Sequence, residues 1–522
     1  MSYIDGLASG LDTTAIIRQL MQVESIPKTR LQERAKIAQA GLDAYASVRS
    51  RISSARTAAN ELASSTDWRG LTATSSNPDA VSVSAGTGAP GNSLSFTVES
   101  LAQAMQQSSG DSFAGLDATL DGRTVSITAD GTTHDFDTAG TLGELVTQIN
   151  DAGVGVTAST LQVTSGEHRL ILTAEETGVD NAFSVTSTGW TDPFAITRSA
   201  ADAQLDVGGI TVTRSTNTID DLIEGATITL HAKTTSEVTI DVERDVAGIS
   251  DKVAAMVDAV NGALAEIDGL TDYDPETNER SILTGDSTVR TVARRLTSAL
   301  TGAVGQSALG TPGLAGVELQ RDGTVTFDEA AFAAAYESDP VAVERLFVDG
   351  AETTGDLTYV RAGWRAQPGS YAVEVTDNGD GTFAATVDGE TAEVTVRDDG
   401  SLRVAMSTLH ERLGGLTVDV AAGQTGAVGT VDYEPGAAKR LTTATNRALD
   451  AVNGQLTTAE QSRENRIKDL NRQIEAWDVR LEKREAGLRR QYTALESMLG
   501  QLQNQSQWLT SQLAGLQANY NQ

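Results

Sequence analysis

Cysteine is absent from all 522 residues. That excludes disulfides, thiolate catalysis and cysteine–zinc centres, and it suits a chain that passes unfolded through an export channel. Aromatic residues make up only 4%, and Thr, Ser, Gly, Ala and Val dominate the middle. That mix fits β-domains with small-residue cores and many turns. No run of 18 apolar residues occurs, so no membrane-spanning helix is expected. Positive charge is scarce: 39 Lys and Arg face 71 Asp and Glu, a net charge of −32. Such a surface opposes nucleic-acid phosphates and anionic bilayers, so neither nucleic acid nor membrane is expected as a partner. The four histidines, His134, His168, His231 and His410, are scattered without metal-ligand spacing, and no phosphate loop or nucleophile elbow is present. The acidic turns Asp272–Asn278 and Asp377–Gly381 lack the spacing of a calcium loop. No catalytic, metal or cofactor residues are expected, and the chain reads as a non-enzyme. The opening Met1-Ser-Tyr-Ile-Asp-Gly has no basic or apolar leader character, so no Sec signal peptide is expected.

What the chain does have is a long apolar repeat at its end. Ile467, Ile474, Leu481, Leu488, Leu495, Leu502, Leu509 and Leu516 recur every seventh residue. This spacing keeps one seam of a helix facing a partner. The second seam begins with Leu470 and Trp477, then turns to Arg484, Gln491, Met498, Gln505 and Gln512. No proline follows Ala437, which predicts one rod over 437–520, roughly 80 residues and on the order of 120 Å long. A plain dimeric coiled coil is one reading; the glutamines weaken a simple two-stranded zipper. Both chain ends are expected to find their mates in neighbouring copies.

At the other end, Asp12 or Thr13 caps a short helix with Ile16, Ile17, Leu20 and Met21, which Pro27 is expected to stop. A second helix repeats Leu31, Ala38, Tyr45, Ile52 and Ala59 at heptad spacing, widened by Leu42, Val48, Ala55 and Leu62. It is the natural partner of the C-terminal rod. Residues 1–70 carry nine bases against seven acids, and residues 435–522 carry twelve against nine; the acidity lies between them.

From Leu71 the apolar period switches to two. Residues 118–128 and 385–396 each read as a strand, an Asp-Gly turn and a returning strand, and 204–212 as a looser copy. Thr141–Asn150 reads as a helix with Leu142, Leu145, Val146 and Ile149 on one face. Residues 246–302 read as helical, with Ser287 capping Val289, Val292, Leu296 and Leu300. Phe327–Phe347 adds another helix or two. The expected fold class is α+β multidomain: paired N- and C-terminal helices form a coiled-coil or bundle stalk, and β-rich head domains are inserted in it. The expected division is leg helices at 1–70 and a β-rich domain at 71–110 with 200–245. A second β-rich domain with one short helix occupies 111–199, a helical stalk domain 246–350, an additional inserted β-domain 351–434, and the long helix 435–522.

Gly6-Leu-Ala-Ser9-Gly10-Leu11-Asp12, followed by Ile17, Leu20, Met21, Glu24 and Pro27, resembles the opening of the flagellar filament-capping proteins, the FliD or distal hook-associated family. Gly91 to Ala102, Thr141–Ala158 and Asp206–Leu230 are similar to further family segments in the same order. So are Leu283-Thr-Gly285-Asp286-Ser287-Thr and Asp322-Gly-Thr-Val-Thr-Phe-Asp-Glu. The likeness is least detailed over 352–433. It implies a homo-oligomer, five copies being usual, at the flagellum tip outside the cell. It implies export through the flagellar type III channel and a lid beneath which flagellin folds and inserts. It also implies that a cytoplasmic export chaperone binds the C-terminal region, and that no cofactor is used. The competing functions are an adhesin acting through the acidic head domains and a hook–filament junction protein.

Overall fold

The computed structural model describes residue 10 and residues 12–86, 92–120, 122–137 and 139–520. In chain order its helices are α1 Thr13–Glu24, α2 Ile26–Asn60, α3 Leu142–Ala152, α4 Val246–Thr271, α5 Ser287–Thr301, α6 Glu329–Ser338, α7 Pro340–Phe347, α8 Ala437–Leu449 and α9 Gln455–Tyr520. The fold is α+β, with paired terminal helices and β-rich insertions. It divides into two compact units, residues 65–250 and residues 1–64 with 251–522.

Residues 65–250 are built on antiparallel sheets around two apolar clusters. One cluster joins Phe96, Val98, Leu205, Ile228, Val238, Ile240 and Val242. The other joins Leu120, Val125, Ile127, Leu170, Leu172 and Phe183 with Leu142, Leu145 and Ile149 of α3. The expected α3 helix forms, and its apolar face packs on the strand Val156–Thr164. Thr141 Oγ1 accepts from the Glu144 amide at 3.3 Å, and the Glu144 carboxylate accepts from the Thr141 amide at 2.9 Å. This reciprocal cap satisfies two orphan donors, and Gly153 ends the helix in the left-handed region at φ 58°. The hairpin expected over 118–128 is displaced. The first strand there is Thr124–Ala129, and it turns at Asp130-Gly131, with φ of 48° and 71°, into Thr132–Asp137. Both turn residues are left-handed, the geometry that matches the strand twist of a two-residue hairpin.

The second unit combines the remaining helices with an eight-stranded antiparallel sheet. Its strand order is Asp349–Thr353, Gly426–Pro435, Gly369–Asp377, Phe383–Val387, Glu390–Val396, Leu402–Ala405, Thr417–Val420, Leu357–Arg361. Tyr371, Val373, Val375, Val404, Val418, Val431 and Tyr433 fill its core. Here the Asp-Gly hairpin is where the pattern places it, with Asp388 and Gly389 both at positive φ. Asp349 joins this sheet to α8: its carboxylate accepts from Lys439 Nζ and from the Tyr359 hydroxyl, each at 2.9 Å. Burial, and then the Asp349 charge, push the Tyr359 phenol pKa far up, so the hydroxyl stays a donor.

Three local expectations are corrected. Pro27 does not end α1: Ser25 separates the helices and Pro27 sits in the first turn of α2, where its missing N–H costs no helical bond. Asp286, not Ser287, caps α5, accepting from the Thr288 amide at 2.9 Å. The C-terminal rod is broken at 450–454, without a proline. Asp450 turns its carboxylate back onto the amides of Val452 and Asn453, at 3.0 and 2.8 Å, which offers the backbone an alternative to helix.

Candidate assembly interface

α2 and α9 run against each other within one chain. From α2 the buried contributors are Tyr45, Val48, Ile52, Ala55 and Ala59, and Leu31 and Leu42 are half-buried. From α9, Leu456, Leu470 and Leu488 are buried, and Ile467, Ile474, Trp477 and Leu481 are partly covered. The expectation that these rods are mated only by other copies is therefore corrected for this stretch. Two long amphipathic helices tethered in one chain meet at a far higher effective concentration than helices on separate copies.

Polar pairs set the register of the seam. Arg49 holds Glu460 with both prongs, Nε to Oε1 at 2.9 Å and Nη2 to Oε2 at 2.6 Å, and reaches Thr457 Oγ1 at 2.8 Å. Farther along, Lys28 pairs with Asp478, and Arg484 Nε donates to Glu24 Oε1 at 2.8 Å. Arg484, which interrupts the second apolar seam, is thus a clip onto the end of α1. Exposed pairs of this kind contribute at most about 1 kcal/mol each, so they align the helices more than they hold them.

At Asp286 three helices are tied together. One carboxylate oxygen caps α5; the other accepts from Tyr45 Oη of α2 at 2.7 Å and from Arg463 Nη2 of α9 at 3.1 Å. The Arg463 guanidinium lies over the Tyr45 ring, 4.9 Å from its centroid. Gly41 leaves it room: a Cβ there would sit 2.5 Å from Arg463 Nη1. Burial acts to raise the Asp286 pKa. The hydrogen bonds from Tyr45, the Thr288 amide and Arg463, with the Arg463 charge, outweigh it and hold the group below the usual carboxylate range. Burial and the bond to Asp286 push Tyr45 up to about 12. A depressed carboxylate stabilises the fold above its unfolded pKa of about 4, and the gain is lost as pH falls through the folded value. The denaturation midpoint of the protein should therefore drop below about pH 4 by more than that of Asp286→Asn. Parallel midpoint-against-pH curves for the two would contradict the assignment.

Beyond Leu488 the apolar repeat continues with its side chains in water. Leu495 is 47% exposed, Leu502 55% and Leu509 53%, with Met498, Trp508 and Leu513 exposed beside them. Gln491, Gln505 and Gln512 are exposed as well. Gly10 and Asp12 are described, and Asp12 caps α1 by accepting from the Ala15 amide at 2.7 Å. Gly6, Ser9, Leu11 and the Leu516 side chain lie outside the described residues. Gly285 adopts φ 84° and turns the chain into the Asp286 cap; Ser287 is the exposed first residue of α5.

A family profile of the flagellar hook-associated protein 2 C-terminus matches residues 200–504, more than half the chain. The chain belongs to the flagellar hook-associated protein 2 family. The N-terminal profile of the same family matches 9–105, and a flagellin hook IN motif matches 124–176, which includes α3. The hook-associated protein 2 of Escherichia coli K12 is 28% identical over 385 residues, covering 68% of this chain and 82% of that protein. The B-type hook-associated protein 2 of Pseudomonas aeruginosa is 26% identical over 435 residues, covering 74% and 88%. Among solved structures, the D1-D2-D3 domains of the Escherichia coli flagellar cap protein FliD match with a TM-score of 0.50 and 27% identity, over 58% of this chain and 90% of that one. The segment around Asp286 was legible as a family segment. Its role as the tie between α2, α5 and α9 was not, because Tyr45, Asp286 and Arg463 are far apart in sequence and no local pattern links them.

Proposed function

We propose that this chain caps the distal end of a bacterial flagellar filament, as an oligomeric lid beneath which exported flagellin subunits fold and insert. Membership of the hook-associated protein 2 family supports the cap over the adhesin reading. The observation that carries the mechanism is the exposure of Leu495, Leu502 and Leu509, each about half in water, on an apolar heptad whose earlier members are covered. That distal helix, with α1, is the leg that docks into the filament end. The β-rich domains at 71–110 with 200–245 and at 111–199 form the plate. Five copies are expected in the ring, the type III channel is the expected route out of the cell, and the C-terminal region doubles as the chaperone's binding site. The role is structural and asks no catalysis of the chain. Deletion of the gene should leave hooks without filaments and spill monomeric flagellin into the medium; filaments of normal length in the deletion strain would overturn the reading.

A lid must let go at each addition, and the glutamines on the second seam serve that need by weakening helix contacts. Replacing Gln491, Gln505 and Gln512 with Leu should lengthen cap residence and slow filament growth. Unchanged growth rates with the variant at normal level would remove the idea.

A further inference from the structure

Between Asp286 and Glu318 the chain carries no carboxylate, although acids outnumber bases nearly two to one overall. α5 lies in that stretch. Its inward side is Val289, Val292, Leu296 and Leu300; its outward side carries Arg290, Arg294 and Arg295, all exposed. None of the three meets a carboxylate among the described residues, and Arg294 donates only to Thr291 Oγ1 of its own helix, at 3.2 Å. None of the three lies in the last turn of α5, where a cation would be favoured by the helix dipole, so helix stability does not account for them. The short turn Pro312–Ala315 packs beside α5 and exposes Leu314. Arginine with an apolar neighbour is the composition of a protein interface rather than of a merely solvated face.

The complementary feature lies on the eight-stranded sheet of the same chain. Strands Asp349–Thr353 and Gly426–Pro435 are antiparallel neighbours, and Glu352 stands directly opposite Asp432. Both side chains are exposed, and neither pairs with a cation among the described residues. Like charges directly opposite on adjacent strands destabilise a sheet, so this pair costs the isolated chain stability. An incoming row of guanidiniums would relieve it.

We propose that the Arg290, Arg294 and Arg295 face of α5 docks onto the Glu352 and Asp432 pair of a second copy of this chain. The proposal rests on the oligomeric reading above and supplies a contact for it. Each copy offers both halves, so the contact is head-to-tail and repeats around a ring. Such pairs act through complementarity and weaken as salt screens them.

The test is sedimentation velocity of the full chain over a range of concentrations, between about 0.05 M and 0.5 M salt. Wild-type association should weaken as salt rises. R290E/R294E/R295E should weaken it about tenfold or more, and E352K/D432K similarly, while the combined variant recovers most of the loss. The neutral R290Q/R294Q/R295Q should fall between, which keeps the test open if a reversal variant fails to fold by circular dichroism. Assembly of the arginine variants at wild-type strength, or a combined variant no better than either half, overturns the contact alone. A wild type that stays monomeric at every concentration overturns the oligomeric reading and this contact with it.

Discussion

Replacing Leu495, Leu502 and Leu509 together with Gln is expected to abolish capping while leaving the folded monomer unchanged. The three side chains are about half exposed in the isolated chain, so their removal takes little from its own core. Surface changes of this kind shift stability by no more than about 0.5 kcal/mol each, and Gln keeps a helix propensity close to that of Leu. On the proposed docking the same row is buried against other helices; with half of each side chain already covered, about 1–1.5 kcal/mol per side chain remains to be gained. Losing three such contacts weakens docking by about a hundredfold or more. The cell would then show hooks without filaments and flagellin in the medium, while the purified variant melts with the parent. Normal filaments, with the variant present at normal level, would show that the row does not dock. A large fall in melting temperature would show that it is already covered within the chain.

Asp286→Ala is the complementary case, with its effect inside the monomer. It removes the cap of α5 and leaves the Tyr45 hydroxyl and the Arg463 guanidinium without their shared acceptor. Loss of a cap costs about 1 kcal/mol, and a half-buried donor left unsatisfied costs about 1–3 kcal/mol more, so about 3 kcal/mol in all is expected. Asp286→Asn keeps a capping oxygen, but the amide nitrogen in place of the second oxygen cannot accept from Tyr45 or Arg463, so it should cost about 1 kcal/mol less than Asp286→Ala, the share of the cap. The measurement is the urea midpoint of the two variants against the parent. Equal midpoints for all three would mean that the tie carries no stability. With α2, α5 and α9 no longer held at one point, the stalk should also loosen: amides of α9 near Arg463 exchange faster, while those of the eight-stranded sheet do not.

The parts that could be read without a structure were those governed by local repetition. Heptad spacing in 467–516 and 31–59 marked two long helices, and period-two stretches marked the strands, because side-chain direction follows directly from backbone period. The short helix α3 was legible from Leu142, Leu145, Val146 and Ile149 at helical spacing; its Thr141–Glu144 cap was not read. The Asp121-Gly122 and Asp130-Gly131 dipeptides are alike as letters; Asp121 lies outside the described residues, and the hairpin that is described closes at the second. The choice is made by which flanking residues can bury, and Val125, Ile127 and Phe136 do so around the second.

What local pattern established about this protein is therefore the class of its elements, its lack of cysteine chemistry, and a long apolar seam at its C-terminal end. Three things waited on the tertiary arrangement. One is the break at 450–454, since an aspartate that closes a turn reads like any other aspartate in a helical stretch. Another is which heptad positions of α9 are covered and which, at Leu495, Leu502 and Leu509, stand about half in water, since that depends on what packs along α9. The last is the meeting of Tyr45, Asp286 and Arg463. Contacts between residues hundreds of positions apart are set by the packing of whole helices, and no period along the chain encodes them.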